Sequence, residues 1–214
     1  MIKIKVFVAE LIQENCYVVH DESKECVIID CGLYSLEERD SIVKYIDENK
    51  LTPVHLIATH GHLDHHFGDD TIFNTYGLLP EVHHEDEYLM TSLSLQAESF
   101  FGVKLQDEFP TVGKYLNVED IISYGTHKFS ILETPGHTPG SIVFYDQEEH
   151  VAFTGDTLFK QSVGRTDLKG GSMFQMIQSL RMLSQLPDTT IVLPGHGDQT
   201  TIGAELASNP YLDR

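Results

Sequence analysis

Apolar and polar residues alternate along the start of the chain in a way that predicts β-strands. Residues 2–8 alternate apolar and charged side chains, while residues 15–20 and 26–29 are short apolar runs bounded by polar turns. A period of two with β-branched enrichment is typical of strands. We therefore expect three strands joined as an antiparallel meander.

The pattern then changes to helical spacing. Ser35 is followed three residues later by Glu38, as in a capping box, and apolar residues recur three and four positions apart, which predicts an amphipathic helix over residues 36–49. Residues 53–59 form an apolar, β-branched run between Pro and Gly, which predicts a buried strand. A second helix is expected over residues 65–76, where a glycine follows.

The second half of the chain repeats this order of elements. We predict strands over residues 128–133, 142–145, 150–153 and 190–193, and helices over residues 172–186 and 201–208. Between the halves, residues 85–90 favour a helix, whereas residues 91–110 lack a clear period and are expected to form a helical or irregular segment over the functional face. Two halves of similar make-up predict two sheets packed face to face with helices outside. A length of 214 residues suits a single domain over residues 1–214.

The charge balance narrows the classes of partner. The 14 Lys and Arg residues face 33 Asp and Glu, which gives a formal charge of -19. Such a field repels phosphate backbones and anionic lipids, so we expect neither a nucleic acid nor a membrane as partner. The N-terminus lacks the unbroken apolar segment of a signal peptide, and three cysteines without zinc-type spacing indicate buried thiols. These features favour a cytoplasmic protein.

The predicted strand over residues 53–59 leads directly into a dense histidine motif. His60, His62, Asp64 and His65 fit the pattern H-x-H-x-D-H. Four metal-competent side chains in six positions are far more than a polar loop needs, and loops after buried strands are where α/β proteins place their chemistry. The motif predicts a metal site.

Three further motifs in the second half each follow a predicted strand. Their metal-competent residues are His137, Asp156 and His196, and small or conformationally permissive residues surround each one. Imidazole and carboxylate ligands suit zinc, iron or manganese, and the absence of cysteine from the set argues against a structural zinc site. The set is therefore expected to be catalytic.

This series of residues resembles the metallo-β-lactamase superfamily over nearly the whole chain. The resemblance implies an α+β fold of the four-layer αβ/βα sandwich type and two divalent metal ions, zinc first with iron or manganese as alternatives. It implies one metal held by His60, His62 and His137, a second held by Asp64, His65 and His196, and Asp156 bridging both.

Other segments narrow the resemblance. Residues 155–159, 164–167 and 194–210 are similar to the short glyoxalase II-type hydrolases, which resemble hydroxyacylglutathione hydrolase but lack its C-terminal helical domain. This chain continues only to Arg214, which leaves room for one helix after the last motif. The missing domain supplies much of that family's glutathione contact, so glutathione recognition is left open, as is the oligomeric state.

The chemistry expected of such a site is hydrolysis of a small acyl thioester. Two divalent ions that share one water lower its pKa to roughly 7, which makes hydroxide available as the nucleophile. A thiolate leaving group needs little protonation, and the site offers no obvious spare general acid, so thioesters are favoured over amides. The resemblance gives Asp64 a catalytic role in orienting the nucleophile.

Arg165 is the candidate for binding a carboxylate or phosphate of the substrate, because a guanidinium binds anions bidentately. A structural salt bridge to Asp167 is an equally weighted alternative. Among the other polar residues, His66 is expected to be solvated or to support a ligand, and His83 and His84 to cap a helix rather than bind metal.

Other functions are open to the same residues. Persulfide dioxygenases of the superfamily also carry a Gly-Arg-Thr-Asp segment and hold a single iron with two histidines and an aspartate. A lactone or phosphodiester hydrolase and a catalytically idle metal-binding relative are further alternatives. Retention of all seven ligand positions argues against idleness, because so many buried polar groups are costly to keep without metal.

Overall fold

Two six-stranded sheets form the centre of the molecule, as the computed structural model shows for the residues that it describes, 1–104 and 109–212. The first sheet contains, in spatial order, β1 (Lys3–Val8), β2 (Asn15–His20), β3 (Glu25–Ile29), β4 (Thr52–Ile57), β5 (Pro80–His83) and β6 (Lys114–Leu116). β1 to β3 pair antiparallel, which confirms the predicted meander, and β3 to β6 pair parallel.

The second sheet comes from the second half of the chain. Its strands are β7 (Ile121–Tyr124), β8 (His127–Glu133), β9 (Ile142–Asp146), β10 (Val151–Gly155), β13 (Ile191–Pro194) and β14 (Thr200–Thr201), in the spatial order β14-β13-β10-β9-β8-β7. A short hairpin of β11 (Leu158–Phe159) and β12 (Ser162–Val163) lies apart from it. Only the β10–β13 pair of this sheet is parallel.

The alternation of side chains along β2 shows how the layers are held together. Tyr17 and Val19 face the other sheet, and the Tyr17 ring meets that of Phe153 edge to face at 5.1 Å between centroids. Cys16 and Val18 face the opposite way, toward the helices. Burying apolar side chains on both faces of a sheet is the main favourable term in such a packing.

Helices cover the outer face of each sheet. α1 (Leu36–Asn49) and α2 (Asp69–Tyr76) pack on the first sheet, and α5 (Met173–Leu183) and α6 (Ile202–Ser208) pack on the second. The predicted capping box is present, since Ser35 Oγ accepts a hydrogen bond from the backbone of Glu38 at 3.2 Å. The resulting α/β/β/α layers confirm the predicted four-layer sandwich.

Between β5 and β6 the chain forms a series of short helical turns. A 3₁₀ turn, His84–Asp86, leads into α3 (Glu87–Met90), α4 (Leu93–Gln96) and a π-helical turn, Ala97–Phe101. This confirms the prediction of a helical or irregular segment for residues 91–104 and 109–110, while residues 105–108 of that prediction lie outside the described residues.

One prediction about an element was wrong, and several short strands were not predicted. The helix expected over residues 65–76 begins only at Asp69, because a 3₁₀ turn, Leu63–His65, comes first and the Gly68 N–H donates to the Cys31 carbonyl at 2.8 Å, a tertiary bond that sets the entry to α2. β5, β6, β7, β11, β12 and β14 were not predicted, because runs of two to four residues are too short to show a period and depend on a partner strand.

The strand directions bring the polar loops to one edge of the sandwich. β8 and β10 each pair antiparallel with β9 and therefore run the same way, and β13 runs parallel to β10. Their carboxyl ends thus share an edge, and the loop after β4 lies at the same edge, since the ligand atoms of His60 and His62 are within 4.8 Å of that of His137. Within the described part of the chain, no helix combines the length and apolar character needed to cross a membrane.

Candidate metal centre

Seven side chains from four loops converge at this edge. His60, His62, Asp64 and His65 follow β4, His137 follows β8, Asp156 follows β10 and His196 follows β13. Every loop begins at the carboxyl end of a buried strand, so the sheets fix where each side chain starts.

Three of the histidines form a first group. The ligand atoms of His60, His62 and His137 lie within 4.8 Å of one another, and His62 Nδ1 is 2.8 Å from His137 Nε2. Burial, together with the neighbouring His137, lowers the pKa of His62 to about 4, and burial lowers the pKa of His60 well below its usual value. Both imidazoles are therefore neutral near pH 7, which is the form that binds metal.

A second group lies beside the first. Asp64 Oδ2 is 3.3 Å from His196 Nε2 and 3.8 Å from His65 Nε2. Asp156 lies between the groups, with Oδ1 3.5 Å from His65 Nε2 and Oδ2 3.5 Å from His137 Nε2. One carboxylate oxygen of Asp156 thus faces each group, which is the arrangement that the bridging role requires.

The buried polar atoms of the centre fit cations. Among the described residues, His60 Nε2, His65 Nε2 and Asp156 Oδ1 are buried and have no hydrogen-bond partner. Unpaired buried polar groups are costly unless they are paired or coordinate a metal. Burial would raise the pKa of Asp156, but the neighbouring His65, His137 and His196 side chains outweigh it and keep this carboxylate ionised.

Groups behind the ligands orient the imidazole rings. His137 Nδ1–H donates to the Arg165 carbonyl at 2.7 Å, and His196 Nδ1–H donates to the Ile12 carbonyl at 3.2 Å. These bonds fix the orientation of each ring, so that Nε2 points toward the other candidate ligands of the centre.

His65 is supported by two buried carboxylates. Its Nδ1 is 3.1 Å from Asp30 Oδ2 and 3.9 Å from Glu14 Oε1. Asp30 also accepts hydrogen bonds from the backbone and hydroxyl of Thr59, the residue before the histidine motif. The sequence analysis missed both carboxylates, although Asp30, a polar residue directly after a buried strand, carried a usable signal.

Asp86 is a further residue that the sequence analysis missed. This fully buried carboxylate accepts hydrogen bonds from Gly61 N at 2.9 Å, Thr138 Oγ1 at 2.7 Å and Gly140 N at 2.8 Å. It therefore ties the loop that carries His60 and His62 to the loop that carries His137. No local pattern marks it, because its partners are distant in sequence.

Two neighbouring histidines, His66 and His83, make hydrogen bonds that support the loops around the centre. His66 is buried, donates from Nε2 to the His60 carbonyl at 2.9 Å and faces Asp69 through Nδ1 at 2.7 Å. His66 therefore supports a candidate ligand through its backbone, which is one of the two roles predicted for it. His83 caps the following turn by accepting from Glu85 N at 3.4 Å, as predicted.

Arg165 lies on the rim of the centre. Its Nε and Nη2 each donate to one carboxylate oxygen of Asp167 at 2.8 Å, and the pair lowers the pKa of Asp167 to about 2. The salt bridge that was weighed as the alternative is thus present. Contact between Arg165 and a substrate stays a prediction.

A cavity of about 290 Å³ opens onto the centre and is called the near cavity below. Metal-competent side chains, His62, Asp64, His137 and Asp156, line one side of it, and Arg165 lines its rim. The remaining lining residues, which carry no acid or base, are Leu63, Gln96, Phe100, Phe101 and Leu168. The cavity is large enough to receive the reacting end of a small molecule.

Comparisons with known proteins agree with this geometry. Residues 9–196 match the family described as the metallo-beta-lactamase superfamily. The hydroxyacylglutathione hydrolase GloC of Haemophilus influenzae is 38% identical over 213 residues, which cover 98% of this chain and 98% of that protein.

Two solved structures are similar over nearly their full lengths. The BLEG-1 B3 metallo-beta-lactamase superposes with a TM-score of 0.88 at 34% identity and covers 99% of both chains. TTHA1623, solved in a di-iron-bound form, superposes with a TM-score of 0.84 at 32% identity and covers 97% of this chain and 100% of its own.

Proposed function

Since the chain belongs to the metallo-β-lactamase superfamily, whose members are generally metal-dependent hydrolases, we propose that it hydrolyses small acyl thioesters in the manner of a hydroxyacylglutathione hydrolase. The observation that carries the proposal is the pair of ligand groups that share Asp156. The similarity to GloC over nearly the whole chain supports the substrate class. We propose residues 1–214 as one hydrolase domain.

Each of the seven residues has a place in this proposal. His60, His62 and His137 would hold one divalent cation, Asp64, His65 and His196 a second, and Asp156 both. When bound, two such cations, zinc first, would supply a water with its pKa lowered to about 7 and would polarise an acyl carbonyl.

The chain's own residues position the reactants. Asp64 is partly exposed to the near cavity and is the carboxylate proposed to orient the attacking water. Gln96 accepts a hydrogen bond from Leu63 N at 2.9 Å and donates to the Leu89 carbonyl at 2.9 Å, so it holds the histidine loop against the wall of the cavity. Phe100 and Phe101 limit the access of bulk water from that wall.

The lining of the near cavity favours a thiolate as leaving group. Among the described residues that line it, every acid or base except Arg165 belongs to the proposed ligand set, and a guanidinium keeps its proton, so no separate group stands ready to protonate a leaving amine. Hydrolysis of a thioester produces a carboxylic acid and a thiol, and the thiolate departs without prior protonation. A β-lactam needs a proton on its nitrogen and is expected to react more slowly.

The first test is a substrate panel run with metal counting. S-lactoylglutathione, other acyl thioesters, a lactone, bis-p-nitrophenyl phosphate and the β-lactam nitrocefin are compared by kcat/KM on protein of measured metal content. We expect the thioesters to have the highest kcat/KM, with two metals per chain. A higher value for the lactone, the phosphodiester or nitrocefin would refute the assignment.

Asp156→Ala tests the shared carboxylate. Loss of the bridge should remove both metals and lower kcat by at least about a thousandfold, because the groups that act on the reacting atoms work as a unit. Asp40→Ala, on the exposed side of α1, is the control and should keep metal and activity. An Asp156 variant that keeps two metals and most of its activity would show that the bridge is misassigned.

A second candidate, a single-iron persulfide dioxygenase, is favoured by one feature of the chain. Residues 164–167, Gly-Arg-Thr-Asp, resemble the segment found in those enzymes. Oxygen uptake on glutathione persulfide separates the two functions. One iron per chain together with rapid uptake would replace the hydrolase proposal.

A further inference from the structure

A second cavity adjoins the near cavity and has not been given a role above. This far cavity has a volume of about 280 Å³ and shares His62, Gln96, Phe100 and Leu168 with the near cavity. The shared residues, one of them a proposed metal ligand, place the two spaces side by side, so the far cavity lies where the part of a substrate beyond the reacting centre could bind.

The lining of the far cavity is mostly apolar. Leu89, Leu95, Phe100 and Leu168 form its walls, and Leu95 and Phe100 are exposed large hydrophobic side chains, at 63% and 57%. Exposed apolar groups that line a concave site next to a reaction centre are typical of ligand pockets. The wall therefore suits the apolar part of a substrate.

One lysine gives the far cavity its charge. Among the described lining residues, Lys169 is the only one with a formal charge when histidine is neutral. Its Nζ lies 5.4 Å from the ring centroid of Tyr88, and the Tyr88 hydroxyl donates to the Lys169 carbonyl at 3.0 Å. Tyr88 thus holds the backbone of Lys169 and borders its ammonium group.

Lys169 differs from Arg165 in its partners. Arg165 is engaged by both carboxylate oxygens of Asp167. In the described part of the chain, by contrast, no ion pair within 4.0 Å involves the Lys169 ammonium. On a protein with a formal charge of -19, a cation without a carboxylate partner beside an apolar cavity is a place where an anionic group can bind.

We propose that the far cavity binds one arm of the substrate, and that this arm is an apolar chain ending in a carboxylate or phosphate that contacts Lys169. The inference rests on the proposed function for the reaction at the centre. It adds a substrate class, thioesters with one apolar, anion-terminated arm, and it names Lys169 and Leu95 as residues that determine specificity.

Binding of non-hydrolysable analogues tests the charge directly. Thioethers that replace the thioester carbonyl by CH₂ are titrated calorimetrically into the metal-loaded protein, as pairs that end in a carboxylate or in the isosteric carboxamide. The charged group is placed on the thiol side in one pair and on the acyl side in another, which identifies the arm. A phosphate-ended thioether is compared in the same way.

We expect the carboxylate or the phosphate to bind about tenfold more tightly than the carboxamide, a difference of about 1.4 kcal/mol. Lys169→Met keeps an unbranched apolar side chain but removes the ammonium group, and should abolish this preference. Lys44→Met, an exposed lysine on α1, is the control and should retain it. Equal affinities for each pair in the unmodified protein, or an unchanged preference in Lys169→Met, would overturn the proposal.

A substitution of Leu95 tests the apolar wall of the far cavity. Leu95→Gln should weaken the binding of analogues whose arm carries several methylene groups by about threefold to tenfold, because each buried CH₂ contributes about 0.8 kcal/mol. The affinity for the shortest analogue should not change. Leu36→Gln alters a leucine of similar exposure on α1 and should have no effect. Equal losses of affinity for analogues with long and short arms would show that Leu95 does not contact the arm.

The experiments distinguish failure of the subsite from failure of the proposed function. If thioesters are hydrolysed but neither kcat/KM nor binding depends on the charged end, the far cavity is not the subsite. If the analogues show the Lys169-dependent preference while no thioester is hydrolysed, the subsite stands and the reaction assigned to the centre is wrong.

Discussion

At the scale of single residues, the geometry of the centre depends on side chains that are not among the seven proposed metal ligands. Asp86 is the strongest example, because three donors from two separate loops converge on its buried carboxylate. These bonds set the distance between the loop of His60 and His62 and the loop of His137. The residue therefore acts on the metal centre through the backbone.

Asp86→Asn tests this role. The amide NH₂ would face donors where the carboxylate now accepts, so the free energy of unfolding should fall by about 1–3 kcal/mol and metal affinity at the three-histidine group should fall with it. Chemical denaturation and competitive metal titration measure the two effects. Asp40→Asn, which is exposed on α1, should change stability by less than about 0.5 kcal/mol. Unchanged metal affinity would reduce Asp86 to a purely structural residue.

At the scale of elements, the second strand of the first half, β2, holds a loop of the second half. Asn15, at the start of β2, donates from its side-chain amide to the Pro194 carbonyl at 3.0 Å and to the Gly197 carbonyl at 2.9 Å. Its backbone N–H donates to Gly195 at 2.7 Å, and the Tyr17 hydroxyl donates to Pro194. The loop that carries His196 is thus positioned by β2 rather than by its own strand alone.

Asn15→Asp should therefore disturb one metal position more than the other. The new carboxylate cannot donate and would face two carbonyl oxygens, which costs about 1–3 kcal/mol of stability. Metal titration should show weaker binding at the group that contains His196, with the three-histidine group retained. Asn117→Asp changes an exposed turn residue and serves as the control. Equal weakening of both positions would contradict the local effect.

At the scale of the whole molecule, one carboxylate links the two sheets far from the metal centre. Asp21 lies in the turn after β2 and accepts hydrogen bonds from the backbone N–H of Thr126 at 2.9 Å and its hydroxyl at 2.8 Å, in the turn between β7 and β8. Burial would raise the pKa of Asp21, but the hydrogen bonds from Ser23 and Thr126 outweigh it and hold the pKa below its usual value.

This shift predicts how stability depends on pH. Because the folded pKa lies below the unfolded value of about 4, the carboxylate contributes stability above pH 4 and loses it as the pH falls through the lower folded pKa. The difference in unfolding free energy between the unmodified protein and Asp21→Asn should be largest near pH 7 and should shrink below about pH 4. Metal loss in acid affects both proteins alike. A difference that stays constant from pH 7 to pH 3 would contradict this account.

Much of the candidate site was predictable, because its signals are local. The H-x-H-x-D-H motif occupies six consecutive positions, and the later candidate ligands each lie between small residues after a strand. The capping box of α1 and the alternation in β2 are local in the same way. Spacing along the chain carries such features, since each depends on residues within one turn or one strand.

The sequence by itself therefore determined the elements with a clear period, the layered sandwich and the set of seven metal-competent side chains. Only the tertiary structure decided which carboxylates brace the ligands, how Arg165 and Lys169 differ, and that a second cavity adjoins the first. The physical reason is distance along the chain. Asn15 and Pro194 are 179 residues apart, and no periodicity or spacing records a contact that exists only after both sheets have packed.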